Sequence, residues 1–289
     1  MRYLILGVSG MAGHLIAMYL KEKGNEVIGV SRRTVDFVDS ISLDLTKNYA
    51  ELQKIVCEGD FDFVVNVAGV LNNDADYYKE QAILINAYLP HFLSRAAREI
   101  KTRIIQLSTD CVFSGEKGPY SVDAIPDGKS FYAKTKSLGE ICDSKNITLR
   151  TSIVGPDINK DGMGLFNWFM RQKGEVLGYS SVQWSGVTTL ELARIVSLIS
   201  SDFDCSGIVN LTPNVSLSKH ELLCLFNHFF KGDSVVIKTN GDPVCNKSLV
   251  MDPPIDFISP YIIQIKQMRE WVLCHMDYYK HYVDFMRPV

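Results

Sequence analysis

Two pairs of residues in this sequence have the types and the spacing needed to move a proton. In each pair a lysine stands four positions after a tyrosine: Tyr132 with Lys136 in FYAKTKSLGE, and Tyr19 with Lys23 in MYLKEKG. A phenol can give up a proton, and a nearby ammonium favours the ionised form of that phenol. A chain of 289 residues with 13 tyrosines contains roughly one such pair by chance. The spacing alone therefore selects neither pair.

The position of each pair relative to the predicted strands separates them. Tyr19 and Lys23 lie at the far end of a predicted helix, more than two turns from its start. Tyr132 and Lys136 begin a helix that comes after a strand ending in QLSTD (106–110), at the carboxyl end of the predicted sheet. Ligands bind at that end in such folds, so the second pair is the candidate for chemistry.

The chemistry of this candidate pair requires a shared helix face and a neighbouring hydroxyl. Tyr132 and Lys136 are four residues apart and therefore lie on one face. We expect the Lys136 ammonium to lower the pKa of Tyr132 by two or three units from about 10, so that Tyr132 exchanges a proton near neutral pH. The hydroxyl of Ser108 or Thr109 is expected to bind the same substrate oxygen. Such a trio can move a proton while a nicotinamide moves a hydride.

A glycine-rich turn follows the first predicted strand. GVSGMAG supplies Gly7, Ser9, Gly10, Met11, Ala12 and Gly13 at the start of the next helix. Glycines there let backbone N–H groups approach a pyrophosphate, and the helix N-terminus favours its negative charge. The spacing is G-x-x-G-x-x-G, which departs from the G-x-G-x-x-G fingerprint. The alternative is an ordinary strand-to-helix turn, but its place at the first strand-helix junction favours dinucleotide binding.

Residues after the next strands refine the choice of dinucleotide. The second strand ends in Ser-Arg-Arg, and Arg32 and Arg33 suit the 2′-phosphate of NADPH, whereas an acid would suit NADH. The alternative is two solvated arginines in a loop, which would leave NADH as the cofactor. Asp44 with Leu45, and Ala68 with Gly69, follow later strands and are placed to line the adenine and ribose.

The elements that carry these residues alternate along the first half of the chain. Nearly continuous apolar runs at 3–8, 25–31, 61–69, 102–108 and 146–152 predict strands buried on both faces. Helices are predicted at 11–23, 47–58, 74–100, 130–145, 163–173, 188–201, 218–230 and 261–283, with a further strand at 207–212. This order predicts an α/β fold with a doubly wound parallel sheet. We expect a dinucleotide-binding domain over 1–155 and a smaller substrate lobe mainly over 156–289, with 188–212 returning to the sheet.

Composition and charge exclude several classes of partner. The net charge of −3 and the absence of a Lys/Arg cluster argue against nucleic acid and anionic membranes. Glycines interrupt the apolar N-terminus, so we expect neither a signal peptide nor a membrane span there. Seven scattered cysteines, never C-x-x-C, indicate a reducing cytoplasm, and the six histidines form no metal-binding motif. We therefore predict a cytoplasmic protein without a metal.

Several motifs together resemble a known family. GVSGMAG, NVAG, STDCVFSG, PYSVDAIP, YAKTKSLGE and LRTSIVGP are similar to motifs of the extended short-chain dehydrogenase/reductases, and within them of the dTDP-4-dehydrorhamnose reductase family. The resemblance covers most of the chain and is strongest over 1–155. It implies a Rossmann-type fold and NAD(P)H-dependent reduction of the C4 ketone of a nucleotide-activated 4-keto-6-deoxyhexose, for deoxysugar and surface polysaccharide biosynthesis.

The resemblance also implies roles for individual residues. Tyr132 would protonate the C4 oxygen, Lys136 would bind the nicotinamide ribose, and Thr109 would bond the ketone or a neighbouring hydroxyl. The glycine turn would contact the pyrophosphate, and Asn86 would lie in a helix that buttresses the site. Ser108 is also expected to contact the cofactor. On the substrate side, the expected residues include Asp110, Phe113 and Trp184.

Departures from the family pattern bear on the substrate. Cys111 stands where rhamnose-making members carry tyrosine, and Ile153-Val154-Gly155 replaces an aromatic run. These changes resemble a branch that acts on UDP-linked 2-acetamido-2,6-dideoxyhexuloses, whose acetamido group needs room. Both dTDP- and UDP-linked substrates remain open.

Three alternatives remain beside the reductase. The first two are a sugar-nucleotide epimerase and a dehydratase of the same superfamily, although a dehydratase would carry Asp-Glu after Thr109 where this chain has Asp110-Cys111. The third is a non-catalytic NADP-binding subunit, since regulatory subunits of methionine adenosyltransferase resemble the same family. The tail DYYKHYVDFMRPV forms either a final helix on the second lobe or part of a homodimer face.

Overall fold

The structure is a computed structural model that describes residues 1–201, 205–251 and 257–287. Three short stretches of the predicted second lobe, 202–204, 252–256 and 288–289, lie outside the described residues. The strands are β1 Arg2–Leu6, β2 Glu26–Ser31, β3 Asp39–Ser42, β4 Phe63–Asn66, β5 Arg103–Ser108, β6 Ile147–Arg150, β7 Ile153–Val154, β8 Glu175–Tyr179, β9 Val182–Trp184, β10 Val187–Thr188, β11 Gly207–Asn210, β12 Leu217–Ser218, β13 Val236–Asn240 and β14 Cys245–Asn246.

The helices differ from the sequence prediction mainly where one long predicted helix is split into shorter helices in the structure. They are α1 Met11–Glu22, α2 Tyr49–Glu58, α3 Asn72–Tyr77, α4 Lys79–Ala82, a π-helical turn Ile83–Tyr88, α5 Leu89–Ala96, a 3-10 turn Asp110–Val112, α6 Phe131–Leu138, α7 Leu165–Met170, α8 Thr189–Ser201, α9 Lys219–Lys231, α10 Tyr261–Cys274 and α11 Lys280–Val283. Within the described ranges, no helix combines the length and apolar character needed to cross a membrane.

Seven parallel strands form the central sheet, in the order β11-β6-β5-β4-β1-β2-β3. Strands β4 and β6 are buried along their whole length, as expected when helices cover both faces of a parallel sheet. The order reverses between β1 and β4, and a crevice opens there beyond the carboxyl ends of the strands. The predicted doubly wound α/β fold is confirmed.

Two apolar cores pack against the two faces of this sheet. The first includes Leu15 and Ile16 of α1 with Leu192 and Ile195 of α8, and it continues into the second lobe. The second includes Leu52 of α2 and Phe92 of α5. Burial of each such side chain contributes about 1.5–3 kcal/mol, so both helical layers hold the strand ends in place.

The second half of the chain contributes both to the sheet and to a separate lobe. Strand β11 pairs with β6 at the edge of the central sheet, and α8 packs on α1. The remaining short strands form a β12-β9-β14 sheet and β13-β8 and β10-β7 pairs. The domain limits proposed from the sequence remain a prediction.

Several predicted helices were too long. The helix predicted over 130–145 ends at Leu138, because Gly139 caps it, and the one predicted over 261–283 divides after Cys274. The helix predicted over 74–100 is interrupted by the π-helical turn. The short strands β3, β7–β10 and β12–β14 were not predicted, because two to five residues carry too little periodicity.

The C-terminal segment packs back onto the rest of the chain. Tyr279 and Tyr282 are fully buried. The Tyr279 hydroxyl lies 2.8 Å from Nε2 of His14 in α1, and the Tyr282 hydroxyl accepts a bond from the Asp157 backbone N–H at 3.0 Å. The tail thus supports both α1 and the loop after β7.

Candidate active site

One large cavity lies at the carboxyl ends of the parallel strands. It encloses about 670 Å³, which is within the range of small-molecule and cofactor sites. Sixteen of the site residues proposed from the sequence line it: Gly7, Ser9, Gly10, Met11, Ala12, Gly13, Arg32, Asp44, Leu45, Ala68, Gly69, Ser108, Thr109, Asp110, Tyr132 and Lys136. Arg33, Phe113 and Trp184 are not among the lining residues.

The glycine turn forms one end of this cavity. Gly7 has φ +86°, a conformation that side chains disfavour, and a Cβ there would lie 2.9 Å from the backbone of Ala68. A Cβ on Gly13 would lie 2.1 Å from the Gly7 carbonyl oxygen, so both positions require glycine. Gly10 precedes α1, and no side chain caps the helix. The first N–H groups of α1 are therefore free of a side-chain acceptor and fit a pyrophosphate.

The residues near the expected adenosine end divide into those inside the cavity and one outside it. Arg32 lines both the main cavity and an adjoining groove of about 410 Å³. Arg33 is exposed and lines neither, and its backbone carbonyl accepts a bond from the Ser31 hydroxyl at 2.6 Å. Of the two arginines predicted to bind a 2′-phosphate, only Arg32 lines the cavity, so the prediction is kept for Arg32 alone. Asp44 faces the same region, and bonds from Thr46 hold the pKa of its carboxyl below the usual value.

Tyr132 and Thr109 lie together at the other end of the cavity. Both are nearly buried, with 9% and 7% of their surface exposed. The Thr109 hydroxyl accepts a bond from the Cys111 backbone N–H at 3.1 Å and donates one to Asp110 Oδ1 at 3.2 Å. Burial first, and the neighbouring Cys111 next, raise the pKa of Tyr132 above its ordinary value, while a bond with Thr109 opposes them. The prediction that Lys136 lowers this pKa is wrong for this structure.

The Lys136 ammonium is bonded at the end of a strand of the central sheet. Its Nζ donates to the Leu107 carbonyl at 2.6 Å, at the end of β5. Burial lowers the pKa of Lys136 from 10.5 to about 8, and the carboxylate of Glu140 opposes this shift. The lysine is thus fixed beside the carboxyl end of β5 and still lines the cavity.

Asn86 supports the site from behind. It lies in the π-helical turn, and its side chain joins two segments: Oδ1 accepts from the Val70 N–H at 2.9 Å, while Nδ2 donates to the Val70 carbonyl at 2.8 Å and to Thr135 Oγ1 at 3.2 Å. Thr135 is on α6, so Asn86 holds the Tyr132 helix against the loop after β4. Single π-helical turns often mark functional sites.

Ser108 has a different partner from the one expected. Its hydroxyl donates to Glu140 Oε1 at 2.7 Å, so it is not directed at a substrate oxygen. Ser108 remains part of the cavity wall, together with Thr109, whose contact with a substrate oxygen stays a prediction.

Phe113 and Trp184 are buried in the core and do not line the cavity. Phe113 is fully buried and stacks on Tyr120, with ring centroids 4.1 Å apart. Trp184 is 1% exposed and packs against Tyr261 at 5.3 Å. Neither ring lines the cavity, because large apolar rings gain free energy from burial in a core, and their contact with a substrate stays a prediction.

The sequence interpretation missed residues contributed by the second half of the chain. Asp157, Met163, Gly164 and Leu165 line the cavity, and no motif in their sequence indicates it. Lys219, at the first position of α9, lies near Asp110 and Cys111, which raise its pKa against the stronger lowering by burial. A cation at a helix N-terminus is unfavourable, and this rule would have singled out Lys219.

Comparisons with known proteins agree with this architecture. Residues 1–167 match the family described as RmlD substrate binding domain. A dTDP-4-dehydrorhamnose reductase from Streptomyces griseus is 31% identical over 141 residues, which are 48% of this chain and 43% of that protein. The chain thus aligns with less than half the length of that reductase.

Two further relatives align over most of the chain. The methionine adenosyltransferase 2 subunit beta of Xenopus laevis is 28% identical over 280 residues, which are 88% of this chain and 80% of that protein. The crystal structure of a dTDP-4-dehydrorhamnose reductase from Bacillus anthracis in complex with NADP has a TM-score of 0.77 at 17% identity, covering 92% of this chain and 98% of that one. The structural likeness establishes the shared fold. Because the family match covers more than half of the 289 residues, this chain belongs to the RmlD substrate binding domain family.

Proposed function

We propose that this chain reduces the C4 ketone of a nucleotide-activated 4-keto-6-deoxyhexose, with NADPH as the preferred hydride donor and NADH as the alternative. One observation carries the proposal: a single cavity joins an uncapped glycine turn to the buried hydroxyls of Tyr132 and Thr109. The dinucleotide, when bound, supplies the hydride. The rest of the chemistry is the work of the chain's own side chains.

Tyr132 is in the protonation state that a proton donor needs. Because burial raises its pKa, it keeps its proton at neutral pH. A ketone that receives a hydride becomes an alkoxide, which is basic enough to take the phenolic proton. Thr109, whose hydroxyl sits beside Tyr132, holds the ketone oxygen. Lys136, anchored on the Leu107 carbonyl, brings a positive charge that stabilises the phenolate left behind.

The cofactor proposal rests on two parts of the cavity, the glycine turn and Arg32. Residues of the glycine turn, with Gly10, Met11 and Ala12 nearest the start of α1, would hold the pyrophosphate. Arg32 would hold the adenosine 2′-phosphate, since a guanidinium can make paired bonds to phosphate oxygens.

Two lysines of the second lobe support a substrate that carries phosphate. Lys247 lies close enough to Cys111 to lower the pKa of its thiol against the effect of burial, and Lys219 lies near Asp110 and Cys111, which raise the pKa of Lys219 against the effect of burial. They place positive charge across from the proton-transfer residues. A sugar linked to a nucleoside diphosphate brings the matching negative charge.

The identity of the sugar is proposed from two cavity residues. Cys111 and Ile153 both line the cavity, and both are smaller than the aromatic side chains of rhamnose-making relatives. The extra room suits a 2-acetamido group, which favours a UDP-2-acetamido-2,6-dideoxyhexulose over dTDP-4-dehydrorhamnose.

A second candidate function is that of a non-catalytic regulatory subunit that binds NADP. It is favoured by the alignment with the methionine adenosyltransferase subunit over 88% of this chain. Against it stands the complete set of Tyr132, Lys136 and Thr109 around one cavity.

The experiment mixes the purified chain with NADPH and a panel of dTDP- and UDP-linked 4-keto-6-deoxy sugars and follows the absorbance of the reduced nicotinamide. The proposal expects consumption with at least one sugar, and more with an acetamido sugar than without. Binding of NADPH with no consumption across the panel would contradict the reductase and support the regulatory subunit. Release of oxidised cofactor from the protein as purified, without net consumption, would support an epimerase.

A further inference from the structure

A buried ion pair lies directly behind the proton-transfer residues. Arg150 donates from Nε to Glu140 Oε1 and from Nη2 to Oε2, each at 2.7 Å. The two side chains are 3% and 5% exposed. A pair removed from water to this degree is costly unless its geometry is good and its remaining groups are bonded, so its presence beside the cavity calls for an explanation.

The pair joins three elements that meet at the site. Glu140 follows α6, Arg150 ends β6, and the Ser108 hydroxyl at the end of β5 donates to Glu140 Oε1 at 2.7 Å. Arg150 also donates from Nη1 to the Val122 carbonyl at 2.8 Å. The ion pair therefore fixes the end of β5, which leads into Thr109, against the helix that carries Tyr132 and Lys136.

Glu140 also acts on Lys136 through its charge. Many other groups surround α6: on the helix itself Tyr132 and Lys134, and on the elements packed against it Asp74, Asp76, Tyr77, Tyr78, Lys79, Glu80, Tyr88, Asp110 and Cys111. Among the described groups, Glu140 is the charge that acts on the pKa of Lys136, and it acts in favour of the ammonium. Burial acts in the opposite direction.

We propose that Glu140 and Arg150 form a positioning pair that keeps Lys136 charged and in place beside Tyr132. Glu140 supplies the carboxylate that favours the ammonium, and Arg150 holds that carboxylate in place, together with Ser108. The proposal rests on the proposed function only in taking Lys136 as part of the proton-transfer site. The role of the pair and the proposed function can be tested separately, because the charge on Lys136 can be measured without any substrate.

The test is a pH titration of the protein alone, with lysine labelled with ¹³C at Cε and the Lys136 signal assigned by its loss in Lys136→Met. The wild-type midpoint is expected near pH 8. Glu140→Gln removes the favourable charge at constant size and leaves Arg150 uncompensated, so the midpoint should fall by about one pH unit or more. Arg150→Met keeps the Glu140 carboxylate, which the Ser108 hydroxyl still contacts, so the Lys136 midpoint should fall less than in Glu140→Gln.

Matched variants separate this role from a purely structural one. Glu191 is also a buried acid paired with an arginine, with Arg194 Nε donating to its Oε2 at 2.9 Å, but it lies in α8. Glu191→Gln should lower the thermal midpoint and leave the Lys136 titration unchanged. The double variant Glu140→Gln/Arg150→Met keeps the interior neutral if Glu140→Gln alone does not fold, and its Lys136 midpoint should still lie below that of the wild type.

Equal Lys136 midpoints in the wild type, Glu140→Gln and the double variant would overturn the proposal, whatever happens to stability. A fall in Arg150→Met as large as in Glu140→Gln would overturn it as well. If the chain reduces a sugar, the alkaline fall of kcat/KM should move to lower pH in Glu140→Gln, in step with the titration. If it reduces none, the proposed reductase fails while the titration still decides the role of Glu140.

Discussion

The two Tyr-x-x-x-Lys pairs have the same spacing but opposite surroundings. At the end of α1, Lys23 is exposed and its Nζ lies 5.4 Å from the centroid of the Tyr19 ring, while Tyr19 packs against Trp271 at 6.2 Å. On α6, Tyr132 and Lys136 are both buried, and Lys136 reaches past the phenol to the Leu107 carbonyl. The first pair is a surface cation–π contact over a core residue, and the second lines a cavity.

The difference shows that spacing places two residues on one helix face, whereas the surrounding elements decide what the pair can do. On α6 the sheet edge, the Asn86 turn and the Glu140–Arg150 pair all converge. On α1 the Tyr19 ring instead packs against Trp271 of α10. Four pairs of substitutions, in order of decreasing effect on turnover, test this contrast.

The largest effect is expected from the tyrosines. Tyr132→Phe removes the proton donor and should reduce turnover about 10²–10⁴-fold, with NADPH affinity nearly unchanged. Tyr19→Phe should change turnover less than about twofold, because its hydroxyl has no place in the cavity. Steady-state kinetics and a binding titration of both variants make the comparison. Equal losses would show that the two pairs had been wrongly distinguished.

The lysines should show a smaller contrast in turnover. Lys136→Met removes the buried ammonium beside the cavity and is expected to reduce turnover about 100-fold. It should also raise the thermal midpoint at neutral pH, since a buried charge is lost from the interior. Lys23→Met should change neither quantity measurably. A Lys136→Met variant with wild-type kinetics would contradict the assigned site.

Arg32 and Arg33 test the cofactor end of the same cavity. Arg32→Ala should weaken NADPH binding about tenfold, or about 1.4 kcal/mol, relative to NADH. Arg33→Ala is the matched control and should leave the ratio of the two affinities unchanged, because Arg33 does not line the cavity. Both dissociation constants can be measured by fluorescence titration. A change of the ratio in Arg33→Ala alone would reverse the assignment.

His14 tests the structural character of α1 and should have the smallest effect on turnover. His14 is fully buried, its Nδ1 donates to the Gly10 carbonyl at 2.9 Å, and burial lowers its pKa from 6.5 to about 4. Between these pH values the unfolded state binds the proton and the folded state does not, so stability falls as the pH falls through this window. The contribution is at most about 3 kcal/mol.

His14→Gln should therefore flatten the loss of stability between pH 6.5 and 4. Urea unfolding at several pH values measures this slope. His220→Gln is the control, because His220 is only half-buried and lies in α9, outside α1. An unchanged slope in His14→Gln would show that His14 does not control acid stability.

Much of the nucleotide half could be predicted from the sequence because its signals are local. The apolar runs fixed the order of β1, β2, β4, β5 and β6, and the glycines marked a turn where a Cβ does not fit. The residues predicted there lie within one cavity because parallel strands bring their carboxyl ends to one edge. Only Arg33 faced away, since successive residues after a strand point in different directions.

The substrate half could not be predicted in the same way, because its residues meet through long-range packing. Lys219, Asp157 and Met163 reach the site from loops or helix starts that carry no motif. Trp184 and Phe113 suggested a sugar pocket by type, yet packing in the core outweighed it. The pKa of Tyr132 was predicted in the wrong direction because burial, which the sequence does not state, is the largest influence on this phenol and raises its pKa.

The measurement that tests the central proposal most directly follows a deuterium atom. The chain is incubated with NADPH deuterated at the transferable position of the nicotinamide and with a UDP-2-acetamido-4-keto-2,6-dideoxyhexose, and the product is analysed by mass spectrometry and NMR. We expect deuterium at C4 of the product with the wild type and almost none with Tyr132→Phe. A product without deuterium at C4, or equal labelling by both proteins, would contradict the assignment of a C4-ketone reductase with Tyr132 as proton donor.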